Sequence, residues 1–486
     1  MRQLKWNLLT KIMGHGHHIE IKQENFVVPA KAKRFAIILM VLGLVLTGVG
    51  MATLGGSSSH SHEAVAESHA EHSDHTQATE VHSDAEGHGH EAAEAHAEEH
   101  GNMENEQFGP RAGFHAEEKP AMTRFWANLL VVGFYFLMIG LCALFWIAVQ
   151  YVANAGWSTA FKRVPEAMMT FVPVPFVVIL VAVLVAKTDL YHWAHYEHLH
   201  LSAGDAGYDK VLDGKSGFLN SGMLIGFPTV LVAIWYFLGR KLRGLSLKED
   251  AATKGDVSFF KKSIRFSAGF AVLFGFTISI IVWLFIMSVD AHWYSTIFGV
   301  YNFISMWVTT ISIIALFVVY LKKAGYLHLV SDEHIHDLGK FMFAFTIFWA
   351  YVWLSQYLLI WYAHIPEEMY YYQIRFEDYK ANFLGNLILN FCVPFLFLLM
   401  RSAKRFRPLL VTIAVTMCLA HYHDIWFNVF PGVFGPGMQV GFLEIGMYMT
   451  FAGLFIYWVL TALSKNGLVP VNHPYLEESA HHDVGV

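Results

Sequence analysis

Thiols are scarce in this chain. Its 486 residues include three cysteines, Cys142, Cys392 and Cys418, each alone inside an apolar run. There is no CxxC pair, so no thiolate framework for zinc or an iron–sulfur cluster, and no CxxCH, so no covalent haem attachment. Each cysteine reads as a small buried apolar residue. Charge is scarce as well: Asp, Glu, Lys and Arg make up 15% of the chain, against roughly 25% in a soluble domain. The net charge of −6 comes largely from one acidic tract. No large basic patch or nucleic-acid motif is present, which argues against nucleic acid as a partner. The short alternating segments of a membrane β-barrel are also missing.

What is abundant is apolar and aromatic. The chain is 55% hydrophobic, with 40 Phe, 21 Tyr and 14 Trp. A membrane span needs about 20 apolar residues, and ten runs qualify: 35–54, 125–151, 168–186, 218–238, 266–289, 300–321, 341–362, 383–400, 409–430 and 441–463. Lipid offers the backbone no hydrogen-bond partner, so these runs are expected to be helices. The fold class is therefore an all-α integral membrane protein with about ten transmembrane helices. Pro173 and Pro175 fall in the first turns of the third run and should bend it; Pro228 and Pro394 are expected to kink theirs. Of the 33 Lys and Arg, 25 fall in one alternating set of connections and 8 in the other. By the positive-inside rule both termini are expected to be cytoplasmic, in a bacterial inner membrane.

The expected organisation is a cytoplasmic N-terminal segment (1–34), a first span (35–54), an outer loop (55–122), a nine-helix domain (123–465) and a cytoplasmic tail (466–486). The N-terminal segment does not read as a cleavable signal. Its His15, His17 and His18 fit a solvated tail, with weak metal binding as the alternative. Between His60 and His100 the outer loop carries ten His among Ala, Glu, Ser and Gly, and no aromatic residue. Such a composition cannot bury a core and is expected to be disordered. Metal scavenging is the alternative, but no ligand spacing recurs, so no metal site is assigned.

Ionisable groups in spans are costly and often serve ions or protons, so they are the informative residues. The fifth run ends in WLFIMSVDAHWYST (283–296), which places Asp290 and His292 beside Trp293 and Tyr294. An interfacial cap competes with a proton or quinone site there. The third run ends in Lys187, Asp189, His192, His195 and Glu197; on a continued helix Asp189, His192 and Tyr196 share a face. In the ninth run His421 and Asp424, three apart, can touch, roughly 18–23 Å along a helix starting near Leu409. Glu444 opens the tenth run, and Gln356 lies in the seventh. Asp189, His192, Asp290, His292, His421, Asp424, Glu444 and Gln356 are the candidates for an outer-side proton relay or quinone site. On the cytoplasmic side Glu166, His336 and Asp337 are candidates for proton uptake, in competition with simple anchoring. Three functional readings compete: a haem subunit, for which no motif sets the His spacing; a secondary transporter, for which paired broken helices are only weakly visible; and a cofactor-free quinone- or proton-handling subunit.

Several long segments carry a family resemblance: FKRVPEAM (161–168), YDKVLDGKSGFLN (208–220), WLFIMSVDAHWYSTIFG (283–299), HDLGKFMFAF (336–345), SQYLLIWYAHIPEE (355–368), FLEIGM (442–447) and VPVNHPYLEES (469–479). They resemble the ActF subunits of bacterial alternative complex III, similar in turn to ActC and the NrfD/PsrC membrane subunits. The likeness runs from about Phe26 to Ser479, apart from the His-rich loop. It implies two four-helix bundles, spans two to five and six to nine, with the first and tenth peripheral. It also implies membership of a quinol oxidoreductase that passes electrons toward cytochrome c or a terminal oxidase. The haems and iron–sulfur clusters would lie on partner subunits: an ActC-like sister, an iron–sulfur subunit, and multihaem and monohaem cytochromes c. The role implied for this chain is structural and proton-conducting, without covalent cofactor; a quinone or menaquinol site of its own at the periplasmic side is the alternative.

Overall fold

A backbone that must satisfy its own hydrogen bonds in lipid has one simple solution, the helix, and the chain adopts it throughout. The computed structural model describes residues 23–68, 121–197, 205 and 208–483. Ten of its helices are long and apolar enough to cross a membrane: α1 (Ala30–Leu54), α2 (Ala121–Val152), α3 (Arg163–Leu190), α4 (Gly222–Asp250), α5 (Ser258–Val289), α6 (Ile297–Lys323), α7 (Asp332–Ala363), α8 (Lys380–Leu398), α9 (Arg407–Phe434) and α10 (Phe442–Leu463). This is a multi-pass, all-α membrane protein. The backbone of α1 runs on to Ser68. His15, His17, His18 and the His-rich tract beyond Ser68 lie outside the described residues.

The helices form two four-membered groups. In one, α2 packs on α3 and α5, and α4 on α5; in the other, α6 packs on α7 and α9, and α8 lies against both. The groups join where α2 meets α6 and α9. α2 and α6 are the central helices, 94% and 89% buried over their most apolar stretches, whereas α1 is 17% buried and lines the periphery. α10 lies on α2, and α1 on α10. Glycine makes that outer pair possible. A Cβ at Gly43 would stand 2.5 Å from the Thr450 backbone nitrogen, and one at Gly446 would stand 2.5 Å from that of Thr47. Close backbone approach through small residues is how helices pack where lipid removes the hydrophobic drive.

The prolines change the winding of the spans before them, while the kink inside α3 falls at Ala186 (φ −121°, ψ 27°) rather than at Pro173 or Pro175. α3 starts at Arg163, earlier than its apolar run, so Pro173 sits inside it. The helix tightens to a 3-10 turn at Met169–Phe171 just before that proline. Proline lacks an N–H and crowds the carbonyl four residues back. Before Pro228 and Pro394 the chain instead widens into π turns, Gly222–Gly226 and Ile388–Cys392, the other way to spare that carbonyl.

Two segments outside the apolar runs are ordered parts of the fold. Pro366–Glu377 is a helix between α7 and α8. The tail after α10 is a strap rather than a free end: Leu468, Val469, Leu476 and Ser479 are all buried. The Ser479 hydroxyl donates to Trp157 O (2.6 Å), accepts from Ala160 N (3.1 Å) and lies 3.2 Å from His334 Nε2. It thereby ties the first group of helices to the second. Asn25 pairs with Gly467 in an isolated antiparallel bridge, so residues 23–26 and the tail share one end of the molecule.

Candidate functional site

Two fully buried ionisable groups stand together in the α6–α9 bundle. Asp424 on α9 is 0% exposed, as is His421 one turn before it. Asp424 Oδ1 accepts from the Tyr301 hydroxyl of α6 and from Asn386 Nδ2 of α8 (2.7 Å). Its Oδ2 accepts from the Ser305 hydroxyl at 2.9 Å, and the same Ser305 oxygen lies 2.9 Å from His421 Nδ1. The two residues are thus joined through Ser305 of the neighbouring helix. Trp349 of α7 stands edge-on to the imidazole, ring centroids 5.7 Å apart. His421 Nε2, Asn302 Oδ1 and Asn390 Oδ1, all buried, have no hydrogen-bond partner among the described residues. Every group bonded to the carboxylate is neutral.

One turn further along α9, Asn428 leads toward Asp290. Tyr371 of the Pro366–Glu377 helix donates to Asn428 Oδ1 (3.3 Å), and Arg375 donates to Asn428 O and to Asp290 Oδ2, both at 3.3 Å. The Arg375 guanidinium lies 3.4 Å over the Tyr371 ring, which stacks on Trp293 at 3.9 Å. A Cβ on Gly432 would come within 2.7 Å of the Asp290 carboxylate, so only glycine admits that carboxylate so close to α9. Burial raises the Asp290 carboxyl above its usual range, although Arg375 beside it pulls the other way.

The other outer-side candidates are dispersed. α3 ends at Leu190, where Tyr191 turns extended (φ −120°, ψ 109°). The face expected to join Asp189, His192 and Tyr196 is broken there, because the chain leaves the helix. Asp189 and His192 are exposed. His192 faces His292, ring centroids 6.1 Å apart. His292 pairs through Nε2 with Asp209, which also caps the short Lys210–Lys215 helix by accepting from Val211 N and Leu212 N. Burial raises the Asp209 carboxyl, but the bonds from His292 and the two amides outweigh it and leave it lowered. Likewise, burial raises Glu197, but Ser221 and Lys187 hold it at about 2. Glu444 is 0% exposed and belongs to a structural pair: Arg124 grips both oxygens (2.8 and 2.9 Å), and Asn128 donates at 2.8 Å. That bidentate contact pins α10 to α2. Gln356 is buried on α7 with its side chain against Tyr372, and its Oε1 has no hydrogen-bond partner among the described residues.

At the other end of the molecule Glu166 lies in a cluster of charges. Arg163 bonds Glu166 Oε2 (2.5 Å), Ser246 (3.0 Å) and Asp250. Lys162 lies 3.8 Å from both Glu166 and Glu249 and donates to the Tyr151 hydroxyl at 2.6 Å. Lys162, Arg163, Glu166 and Glu249 are all buried. Asp337 accepts from Lys340 at 2.5 Å and lies 2.8 Å from His482 of the strap. His336 is 3% exposed and among the described residues makes no hydrogen bond through either ring nitrogen, its Nδ1 lying 3.8 Å from Glu333 and 3.9 Å from Asp337.

Composition alone did not single out Tyr301, Ser305, Asn386, Glu249 or Arg375. Two signals were present: asparagines four apart in one span, Asn386 and Asn390, and a lone arginine one turn after Tyr371. Among the described residues no group of three or more His, Cys, Asp or Glu is arranged to hold a metal ion. The chain matches no protein-family model and no curated protein.

Proposed function

We propose that this chain is an integral, proton-handling subunit of a respiratory quinol:electron acceptor oxidoreductase of the alternative-complex-III kind, with Asp424 and His421 as its protonatable centre. The motif resemblance supplies the respiratory context. The observation that carries the proton role is a wholly buried carboxylate held only by neutral donors. Its hydrogen-bond chemistry permits a relay. With Asp424 ionised, the Ser305 hydroxyl donates to Oδ2 and accepts from His421 Nδ1–H, leaving Nε2 bare. With a proton on Oδ2, the carboxyl donates to the Ser305 oxygen and the serine proton turns to His421 Nδ1, whose ring then carries its proton on Nε2. A proton that binds at His421 Nε2 is matched by the Nδ1 proton passing to the Ser305 oxygen and the serine proton passing to Asp424 Oδ2, so the charge entering at the ring ends on the carboxylate while ring and hydroxyl stay neutral; the reverse shift releases it at Nε2.

In this reading the Asp290 end faces the periplasm, as the basic asymmetry of the connections implies. Quinol oxidation releases two protons and two electrons; the electrons pass to haems and clusters on partner subunits, and buried polar groups here take part in moving protons. The test is the assembled complex, isolated in mild detergent and returned to vesicles with a pH-sensitive dye. Asp424→Asn keeps the shape of the site and removes its titrating group. The expected result is normal assembly with proton release or turnover lowered roughly tenfold or more, in the range of general acid–base effects. Unchanged proton release across pH in a correctly assembled Asp424→Asn complex overturns the proton role. Purification of this chain free of haem-bearing partners overturns the subunit reading. A quinone located beside Asp290 would replace the scaffold role with a quinone site of the chain's own.

A further inference from the structure

An apolar crevice of about 540 Å³ opens between α1, α2, α6, α9 and α10, a size within the roughly 300–1,000 Å³ of ligand pockets. Its inner wall is made of rings, Tyr135, Tyr448 and Phe455 among them. The Tyr135 hydroxyl is already spent on Cys418 O at 2.7 Å, so that hydroxyl's proton is not available to a polar head. Along α10 the crevice runs from Tyr448 to Leu460, roughly 18 Å of helix at ~1.5 Å per residue. One leaflet of hydrocarbon is about 15 Å deep, half of a ~30 Å core. One charged side chain lines the crevice, Lys31, in the first turn of α1. It is exposed and has no carboxylate partner among the described residues. Lys33 and Arg34 follow it. On α6 the nearest cation in sequence, Lys322, is engaged by Val330 O and Asp332.

The crevice thus matches one chemical class: an apolar chain about a leaflet long, with a negative head at one end. We propose that it holds one anionic phospholipid, its phosphate at Lys31 and one acyl chain lying along α10 toward Tyr448. A neutral isoprenoid quinone would fill the same apolar length but gain nothing from Lys31. The lipid would wedge the α1–α10 pair against α6 and α9. It would complete the packing beside the edge-on contact of Phe455 on α10 with Phe317 on α6, ring centroids 6.3 Å apart.

The full chain, purified in mild detergent and stripped of lipid, is offered dioleoylphosphatidylglycerol or dioleoylphosphatidylcholine. These have the same acyl chains and differ in head charge. Bound lipid is counted by native mass spectrometry. The wild type is expected to retain one phosphatidylglycerol in preference to phosphatidylcholine by roughly fivefold, the effect of a single basic residue on an anionic head. Lys31→Gln should remove the preference and leave weak binding of both. Ala452→Trp, which fills the crevice, should remove both; if that variant fails to fold, Leu419→Trp at the half-exposed rim carries the same test. Equal retention of the two lipids by the wild type overturns the proposal, as does undiminished binding in a folded Trp variant. Displacement of phosphatidylglycerol by an equal concentration of menaquinone overturns it in favour of an isoprenoid occupant.

Discussion

In the α2–α5 bundle the buried carboxylates stand beside cations; in the α6–α9 bundle the most deeply buried one does not. Arg163 bonds both Glu166 and Asp250, and Lys162 stands 3.8 Å from Glu166 and from Glu249. Among the described residues Asp424 is held by neutral groups, Tyr301, Ser305 and Asn386. The difference separates two uses of a charge in a low-dielectric interior. A close ion pair fixes the protonation of both partners, because neutralising either one strands the other. Directly bonded groups such as Arg163 with Glu166 and Asp250 join helices and gain nothing by titrating. Neutral donors impose no such lock: hydroxyls and amides can turn to suit a carboxylate or a carboxylic acid. Sequence position alone made Glu166 and Asp424 look alike, as acids in spans; their partners set them apart.

The strongest challenge to this comparison is to remove a cation from the first bundle. Arg163→Met leaves Glu166 and Asp250 buried without their main partner, which is expected to cost about 3–5 kcal/mol. The chain should largely fail to accumulate in membranes. A wild-type yield and thermal melt for Arg163→Met would mean that the first bundle does not depend on charge pairing.

The second bundle should answer differently. Asp424→Asn still accepts from Tyr301 and Asn386 and should change the melting behaviour little. Asp424→Leu leaves those donors and Ser305 facing hydrocarbon, at about 1–3 kcal/mol for each one stranded. Thermal unfolding of the two variants side by side makes the check. If Asn proves as damaging as Leu, Asp424 is held as a fixed anion and the two bundles are alike.

A smaller effect sharpens the contrast from the tail, where His473 packs on Phe260 and Tyr475. Burial, with Lys162 and Arg163 adding to it, pushes this imidazole well below its usual value. A released tail would bind a proton that the docked tail refuses. Docking is therefore at full strength above the ordinary histidine value of about 6.5 and weakens as pH falls below it. Limited proteolysis of the tail should accelerate between pH 7.5 and 5.5 in the wild type. In His473→Phe, which keeps the ring and cannot titrate, that acceleration should be reduced. Equal acceleration in both would assign the pH response to another group.

The smallest expected change is at the rim. The His292 side chain is 49% exposed and that of Asp209 27%. An ion pair so open to solvent contributes about 0–1 kcal/mol. His292→Ala should leave yield and melting almost unchanged, and a loss comparable to Arg163→Met would show that the rim pair is tied to the buried centres.

The spans were legible because lipid enforces a single rule, about 20 apolar residues in a helix, and composition records that rule directly. The pairing of helices into two groups was legible only through the family resemblance; hydropathy carries no address for a neighbour. The expected outer network of Asp189, His192, Asp290, His421, Asp424 and Glu444 does not assemble as one unit, since these residues are held by different partners. Glu444 was claimed by Arg124, which lies in the first turn of α2, some 320 residues away. Asp189 and His192 were carried off by the end of α3 at Leu190. Asp290 and Asp424 do approach each other along α9, through Asn428, but the residues that connect them, Arg375 and Tyr371, come from a helix too short and too mixed to register as a span. The strap was missed for a similar reason: Ser479 and His473 sit in an unremarkable polar tail, and only their neighbours give them a role.

The α1–α10 contact has a consequence for the making of the protein. Gly43 and Gly446 meet with their backbones almost touching, yet Gly446 leaves the ribosome about four hundred residues after Gly43, some 20–80 s later at ~5–20 residues per second. Throughout that interval α1 is without its main partner, its packing within the chain limited chiefly to a small contact with α2. The tail that crosses both bundles follows later still. The molecule can therefore be closed only near the end of its own synthesis, and a ribosome that stalls before α10 would release a chain whose first span has no place to dock, a ready mark for membrane quality control.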